Sequence, residues 1–387
     1  MQGRPNTHQG RPGRGRDDDA HGSGPDDDES EQTEELELED LEELEDLEEV
    51  EEVEAAPDGR PPDPGVERYG RVIRIPAQGR AILCTDLHGN LGDMQRVVAA
   101  FRQALEEERG QAYLIFTGDL VHGPCYPKDN WPEHLGDFYP DQSVEVIEAF
   151  EALQRELPGR VFTLIGNHEH SHIGGPHTRK FHKIPSETEH FERTLGPRRT
   201  RQFKELVRSL PIAAVIGRGV VVTHGAPRVL DATFADICAV EYGGHEDKQI
   251  REMLSVPILG EMFWCRSAGP LVVRRFLQRM EVAGQQNHVV VFGHDPVRRG
   301  YLREGEEQLC FSTSFGLRNG RKVYLDLSLT REYRSVRFMR YGVDILPLYP
   351  ELATRRAGTG RAVGGPVKSA PQGGGSLIER PAKRGAR

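Results

Sequence analysis

Ala81-Ile82-Leu83-Cys84-Thr85-Asp86-Leu87-His88-Gly89-Asn90 sets an apolar run of strand length directly before an acid, an imidazole and a glycine. Ala81 to Thr85 suit a short buried strand, and Gly89-Asn90 ends it. The same order recurs down the chain. Tyr113 to Thr117 precedes Gly118-Asp119, and Val161 to Ile165 precedes Gly166-Asn167-His168-Glu169. Val220 to Thr223 precedes His224-Gly225, and Val289 to Phe292 precedes Gly293-His294. Helical periodicity fills the intervals at Met94 to Leu105, Val144 to Leu153, Phe203 to Leu210 and Leu271 to Val282. Further strands are expected at Ile212 to Ile216, Gln308 to Ser312, Lys322 to Leu327 and Arg334 to Phe338. Strands alternating with helices, then extra strands, predict a layered α/β domain.

Composition bounds the rest. The chain has 387 residues and a net charge of −11. That charge is local, because 23 acidic residues and no Lys or Arg lie between Asp17 and Asp58. The body is close to neutral, so the global charge says little about the folded part, and a nucleic-acid partner is not expected. Residues 1–66 and 353–387 are expected to be a disordered acidic region and a disordered basic tail, since their composition cannot bury enough apolar surface to order them. Residues 67–352 are then one catalytic domain. Leu41, Leu44, Leu47, Val50 and Val53 recur among glutamates at near-helical spacing; a solubilising acidic tail is the first reading, and a marginal helix that orders on a basic protein partner is the second. The five cysteines, Cys84, Cys125, Cys238, Cys265 and Cys310, form no C-x-x-C pair and suggest no disulfide framework. With no apolar leader and no run of eighteen apolar residues, neither secretion nor a membrane span is expected, and a reducing, cytoplasmic setting is the default.

The turn residues carry the chemistry. Ligands of open α/β sheets gather at the carboxyl ends of strands. Asp86 and His88, two apart in extended chain, point the same way and can grip one ion. Asp119 offers two oxygens and can bridge two ions, while Asn167, His224 and His294 would complete the ligand set of the second ion. Imidazole mixed with oxygen suits manganese, the expected metal, or iron or zinc. Two such ions would attract a phosphate dianion and lower the pKa of a bridging water, and the resulting hydroxide would attack phosphorus in line. His168, next to Asn167, is placed to protonate the leaving alkoxide.

These segments, in this order, resemble the phosphoprotein phosphatase branch of the calcineurin-like metallophosphoesterases, which carries D-x-H-G, G-D-x-x-D-R-G, G-N-H-E, H-G and G-H. Leu210-Pro211-Ile212-Ala213-Ala214-Val215 before the fourth motif, and Val297 with Gly300-Tyr301 after the fifth, extend the similarity over residues 80 to 330. The resemblance implies a two-sheet sandwich flanked by helices, in α/β/β/α layers. It implies that Asp86, His88, Asp119, Asn167, His224 and His294 hold two divalent ions and that His168 is the general acid. It also implies a phosphate-binding arginine between the last two motifs. Arg266, in Phe263-Trp264-Cys265-Arg266, is the first choice for it and Arg251 the second; Asn167 joins them on the substrate side.

The second motif departs from that pattern. Gly118-Asp119-Leu120-Val121-His122-Gly123-Pro124 has His122 where the family has the Asp that pairs with the acid, and Gly123 where it has a phosphate-clamping Arg. A second imidazole does not favour imidazolium as a carboxylate does. The implied function is hydrolysis of phosphate monoesters, first of phosphoserine or phosphothreonine proteins or a small phosphorylated substrate. Two alternatives are a dinucleoside polyphosphate hydrolase of the diadenosine tetraphosphate type and a metal-binding pseudophosphatase scaffold. Six histidines between His168 and His190, and the loop Pro124 to Asp141 with Tyr126, Trp131, Phe138 and Tyr139, fall on the substrate side or pack as cover.

Overall fold

A computed structural model describes residues 65–182 and 184–353. The acidic region and basic tail expected at the two ends, and the partner proposed for the former, lie outside the described residues apart from Gly65, Val66 and Ala353.

The chain opens with β1 (Glu67–Tyr69), β2 (Val72–Ile75) and β3 (Arg80–Cys84), then α1 (Leu91–Glu107), β4 (Ala112–Phe116), α2 (Ser143–Glu156) and β5 (Val161–Thr163). Next come the single turn α3 (Asn167–His170), the long α4 (Glu187–Ser209), β6 (Ala213–Ile216) and β7 (Val220–Thr223). Three short helices, α5 (Phe234–Cys238), α6 (Ile250–Met253) and α7 (Leu259–Phe263), lead to α8 (Pro270–Arg279) and β8 (Val289–Phe292). The last strands are β9 (Tyr301–Glu304), β10 (Gln308–Phe311), β11 (Val323–Ser328) and β12 (Ile345–Pro347).

Two mixed sheets result. One runs β1-β2-β6-β7-β8-β10-β9, the other β12-β11-β3-β4-β5. The alternation of side chains along each strand builds three apolar layers. Ala81 and Leu83 of β3 and Tyr113 and Ile115 of β4 face inward against Val220, Val222, Val289 and Val291 of the other sheet. Ile82, Cys84, Leu114 and Phe116 face outward and are covered by Met94, Val97 and Phe101 of α1 and Val146 and Phe150 of α2. Val290 and Phe292 face out on the other side, where Val273, Phe276 and Leu277 of α8 lie in the same outer cluster. Strands β3, β4 and β5 are parallel to one another, as are β7 and β8. Their carboxyl ends therefore open at one edge of the sandwich.

The expected α/β/β/α sandwich is the observed one. Residues Arg334 to Phe338, expected as a strand, instead form a 3₁₀ turn over Val336–Phe338. The Ser335 side chain accepts from the Arg337 N–H, a local bond that competes with a sheet ladder. The helix expected from Phe203 begins much earlier. Ser186 and Glu189 form a capping box at its start, and Gly196-Pro197 bends it midway.

Candidate active site

The strand ends deliver their turn residues to one place. Asp86 and His88 follow β3, Asp119 follows β4, and Asn167 and His168 open α3 after β5. His224 follows β7 and His294 follows β8, so the second sheet supplies these two. His224 Nε2 lies 3.1 Å from Asn167 Oδ1, 3.2 Å from His294 Nδ1 and 3.5 Å from Asp119 Oδ2. His88 Nε2 lies 3.6 Å from the same Asp119 oxygen. Ligand-bearing atoms thus form two groups, His88/Asp119/His168 and Asp119/His224/His294, each within 4.8 Å, and Asp119 belongs to both.

Hydrogen-bond direction shows what such a cluster suits. His224 Nδ1 lies 2.9 Å from the Thr117 carbonyl, and His88 Nδ1 lies 3.1 and 3.2 Å from the carbonyls of Val121 and His122. A carbonyl only accepts, so both rings carry their proton on Nδ1 and turn an Nε2 lone pair inward. Those lone pairs face the carboxylate of Asp119, and that of His224 also faces the Asn167 amide oxygen. The His294 Nε2 atom is buried without a hydrogen-bond partner. Acceptors facing acceptors in a dry site need cations between them. Burial pushes the Asp86 carboxyl up to about 6. Burial and the nearby Glu169 carboxylate raise Asp119 well above the usual range. Burial also drives the imidazoles of His88, His168 and His294 well below theirs. The donor set therefore fits divalent cations, and buried neutral imidazole with carboxylate suits transition metals.

The surrounding contacts hold the turns in place. Asp86, His88, Asp119, His122 and His294 all have positive φ, between 43° and 67°. Such conformers are uncommon outside glycine, though Asp and His adopt them more readily than most residues, and they cluster at functional sites. Glu169 holds one of these turns, accepting from the N–H groups of Asp119 and Leu120, both at 2.8 Å, and of Gly166 at 3.0 Å. A Cβ at Gly166 would sit 2.2 Å from Asp119 Oδ1, so only glycine allows this approach. Glu169 has no role in the sequence reading; its place in the third motif was the only signal.

The departures in the second motif have structural reasons. A Cβ at Gly123 would sit 2.5 Å from Asp141 Oδ1 and 2.7 Å from the His88 carbonyl, so an arginine is not accommodated here. His122 is buried and its ring approaches both His168 and His172. Cations reach the site from elsewhere. Arg179, Lys180 and Arg266 line a cavity of about 430 Å³ that also touches His88, Asp119, Asn167, His168 and His294. Arg266 makes an ion pair with Asp295 at the rim, and Lys180 Nζ sits 3.9 Å from the Phe315 ring centroid. Arg251 is exposed and is not among the lining residues, although its helix neighbour Ile250 is, with Leu254 and Trp264. Lys180 was missed because a lone cation in an irregular loop carries no spacing signal.

Of the six histidines between His168 and His190, only His168 enters a three-residue ligand group among the described residues. His170 bonds the Tyr242 carbonyl, His177 lies 3.2 Å from the Ser186 hydroxyl, and His182 stacks on His190. In the loop from Pro124 to Asp141, Trp131 packs edge-on against Phe138 and Tyr139 and donates to the Gly136 carbonyl. No residue of that loop lines the cavity.

Residues 79–312 match the calcineurin-like phosphoesterase family. The chain belongs to this family of two-metal phosphoesterases, which are hydrolases. A protein of Encephalitozoon cuniculi named as a probable serine/threonine-protein phosphatase is 27% identical over 244 residues, or 59% of this chain. The match spans 45% of that relative's length. A protein serine/threonine phosphatase structure from Saccharomyces cerevisiae aligns at 19% identity and a TM-score of 0.43, covering 62% of this chain and 70% of that one. A cold-active protein-tyrosine phosphatase of a Shewanella species aligns at 13% identity and a TM-score of 0.45, covering 71% and 85%. No helix among the described residues is long and apolar enough to cross a membrane.

Proposed function

We propose that this protein hydrolyses phosphate monoesters, with phosphoserine and phosphothreonine proteins as the first substrate class. The observation that carries it is the acceptor-only cluster around Asp119 at the floor of a cavity walled by Arg179, Lys180 and Arg266. Asp86, His88, Asp119, Asn167, His224 and His294 would hold two divalent ions, manganese being the first choice. When bound, such ions neutralise a phosphate and lower the pKa of water.

The chain's own residues supply the rest. Arg266 exchanges its Asp295 partner for phosphate oxygens, a geometry its planar fork matches. Lys180 and Arg179 add charge from the opposite loop, in place of an arginine at position 123. His168, with its backbone N–H held 3.0 Å from Asp119 Oδ1, presents a proton to the leaving oxygen. Ile250, Leu254 and Trp264 give the cavity an apolar side that covers the leaving group.

The choice of serine and threonine esters is supported by the Encephalitozoon relative, which is named a probable serine/threonine-protein phosphatase. A reducing, cytoplasmic setting is supported by the five cysteines, all free. The test compares manganese-loaded protein on phosphoserine and phosphothreonine peptides, p-nitrophenyl phosphate and diadenosine tetraphosphate, with bound metal counted on the same sample. Turnover of the peptides supports the proposal. Turnover of the dinucleotide alone overturns it in favour of a phosphoanhydride hydrolase, and two bound ions without turnover of any substrate points to a scaffold.

A further inference from the structure

Behind His168 the side chains continue in a line. His168 Nδ1 lies 2.9 Å from His122 Nδ1, His122 Nε2 lies 2.9 Å from His172 Nε2, and His172 Nδ1 lies 2.8 Å from Glu192 Oε1. These are hydrogen-bond separations. Lys204 Nζ donates to the other Glu192 oxygen at 3.0 Å. The three imidazoles are buried, whereas the Glu192 side chain on α4 is 26% exposed.

The direction of these bonds is determined from the outer end. A carboxylate only accepts, so His172 carries its proton on Nδ1. Its Nε2 is then a lone pair, and His122 must donate to it from Nε2. His122 Nδ1 is left to accept, and the group facing it is His168 Nδ1. The Thr178 hydroxyl, 3.2 Å from the same His122 nitrogen, can donate there as well. His168 Nε2 is then the lone pair left to face the cavity; it takes up a proton from water to give the imidazolium, which passes that proton from Nε2 to the leaving oxygen while the Nδ1–H stays on His122. Without Glu192 the line has no fixed end, and the two tautomers of each neutral imidazole compete.

We infer that Glu192, acting through His172 and His122, is a positioning residue that fixes the tautomer and orientation of His168. The line of two imidazoles and a distant carboxylate takes the place of a carboxylate directly beside the acid. The inference rests on His168 as the proton donor to the leaving group. A third group within 4.8 Å, His122, His168 and Glu187, offers the competing reading of a third ion.

The test uses the full chain with manganese and two aryl phosphates. Nitrophenolate leaves without a proton, and phenolate needs one. Glu192→Leu should lower kcat on phenyl phosphate about tenfold or more, a part of the roughly 10²–10⁴-fold that a general acid contributes. The loss on p-nitrophenyl phosphate should be much smaller, with KM steady for both. His122→Asp in the Glu192→Leu background should restore phenyl phosphate turnover, because a carboxylate accepts whatever lies behind it. Nitrogen-15 NMR of the metal-free protein should show His168 and His172 protonated on Nδ1 and His122 on Nε2, a pattern lost in Glu192→Leu. Equal losses on both esters, the opposite tautomer at His122, or a third manganese lost with His122→Asp would overturn the inference. A wild-type protein that turns over neither ester defeats the phosphatase reading, while the tautomer pattern still decides the line.

Discussion

Glu169 and Asp119 clamp each other's loops: the Glu169 carboxylate accepts the Asp119 N–H at 2.8 Å, and Asp119 Oδ1 accepts the N–H of His168, next to Glu169, at 3.0 Å. One residue shared by both candidate ligand groups is thereby tied to the turn that carries His168, the proposed proton donor.

Glu169→Gln tests the clamp. An amide nitrogen cannot accept, so at least one buried N–H among Asp119, Leu120 and Gly166 loses its partner. Leaving such a group unsatisfied costs about 1–3 kcal/mol. Urea unfolding should show that loss, with reduced bound manganese. Wild-type stability and full metal content would reject the clamp.

Asp119→Asn keeps an oxygen for the His168 N–H but removes the charge shared by both groups. Bound metal should fall below that of the wild type by elemental analysis. The thermal stabilisation that manganese gives the wild type, about 2.7 kcal/mol at a hundredfold excess over Kd, should shrink with it. A variant that still binds two ions would remove Asp119 from the bridging position.

His168→Ala should lower kcat about a hundredfold or more on poor leaving groups, the usual scale for a general acid. Metal content should be retained. Unchanged turnover of phenyl phosphate would exclude His168 as the acid.

Away from the chemistry, Lys322 Nζ donates to Asp93 Oδ2 at 2.7 Å with both side chains buried. Asn90 and Tyr349 donate to the same carboxylate. Lys322→Met leaves that carboxylate without its charge partner, and breaking a buried pair costs about 3–5 kcal/mol. Denaturant unfolding should show it, and Lys322→Met with Asp93→Asn, which removes the charge but keeps an acceptor for Tyr349, should recover part of the loss. If the single variant is as stable as the wild type, the pair is not holding β11 to α1.

Much of the candidate site was legible along the chain because each proposed ligand sits within a few residues of a strand end. His88, Asp119, Asn167, His224 and His294 each have a glycine beside them, and Asp86 directly follows the apolar run of β3 and Thr85. Continuous apolar runs of strand length likewise marked β3, β4, β7 and β8 to within a residue or two, since a short strand buried on both faces reads as an unbroken apolar stretch. The Arg334 to Phe338 segment misled because its alternation is real but a single Ser335 bond closes it into a turn.

The sequence by itself determined the layered fold, the order of the turns and the identity of the residues that gather there. The partnerships were decided only in three dimensions. His122 meets His172 across 50 positions, and Glu192 lies another 20 along the chain from His172. Lys180 and Arg266 reach one cavity from separate loops. No periodicity links such residues, because their contact is set by how two sheets and a bent helix pack, and packing joins positions that chain spacing leaves unrelated.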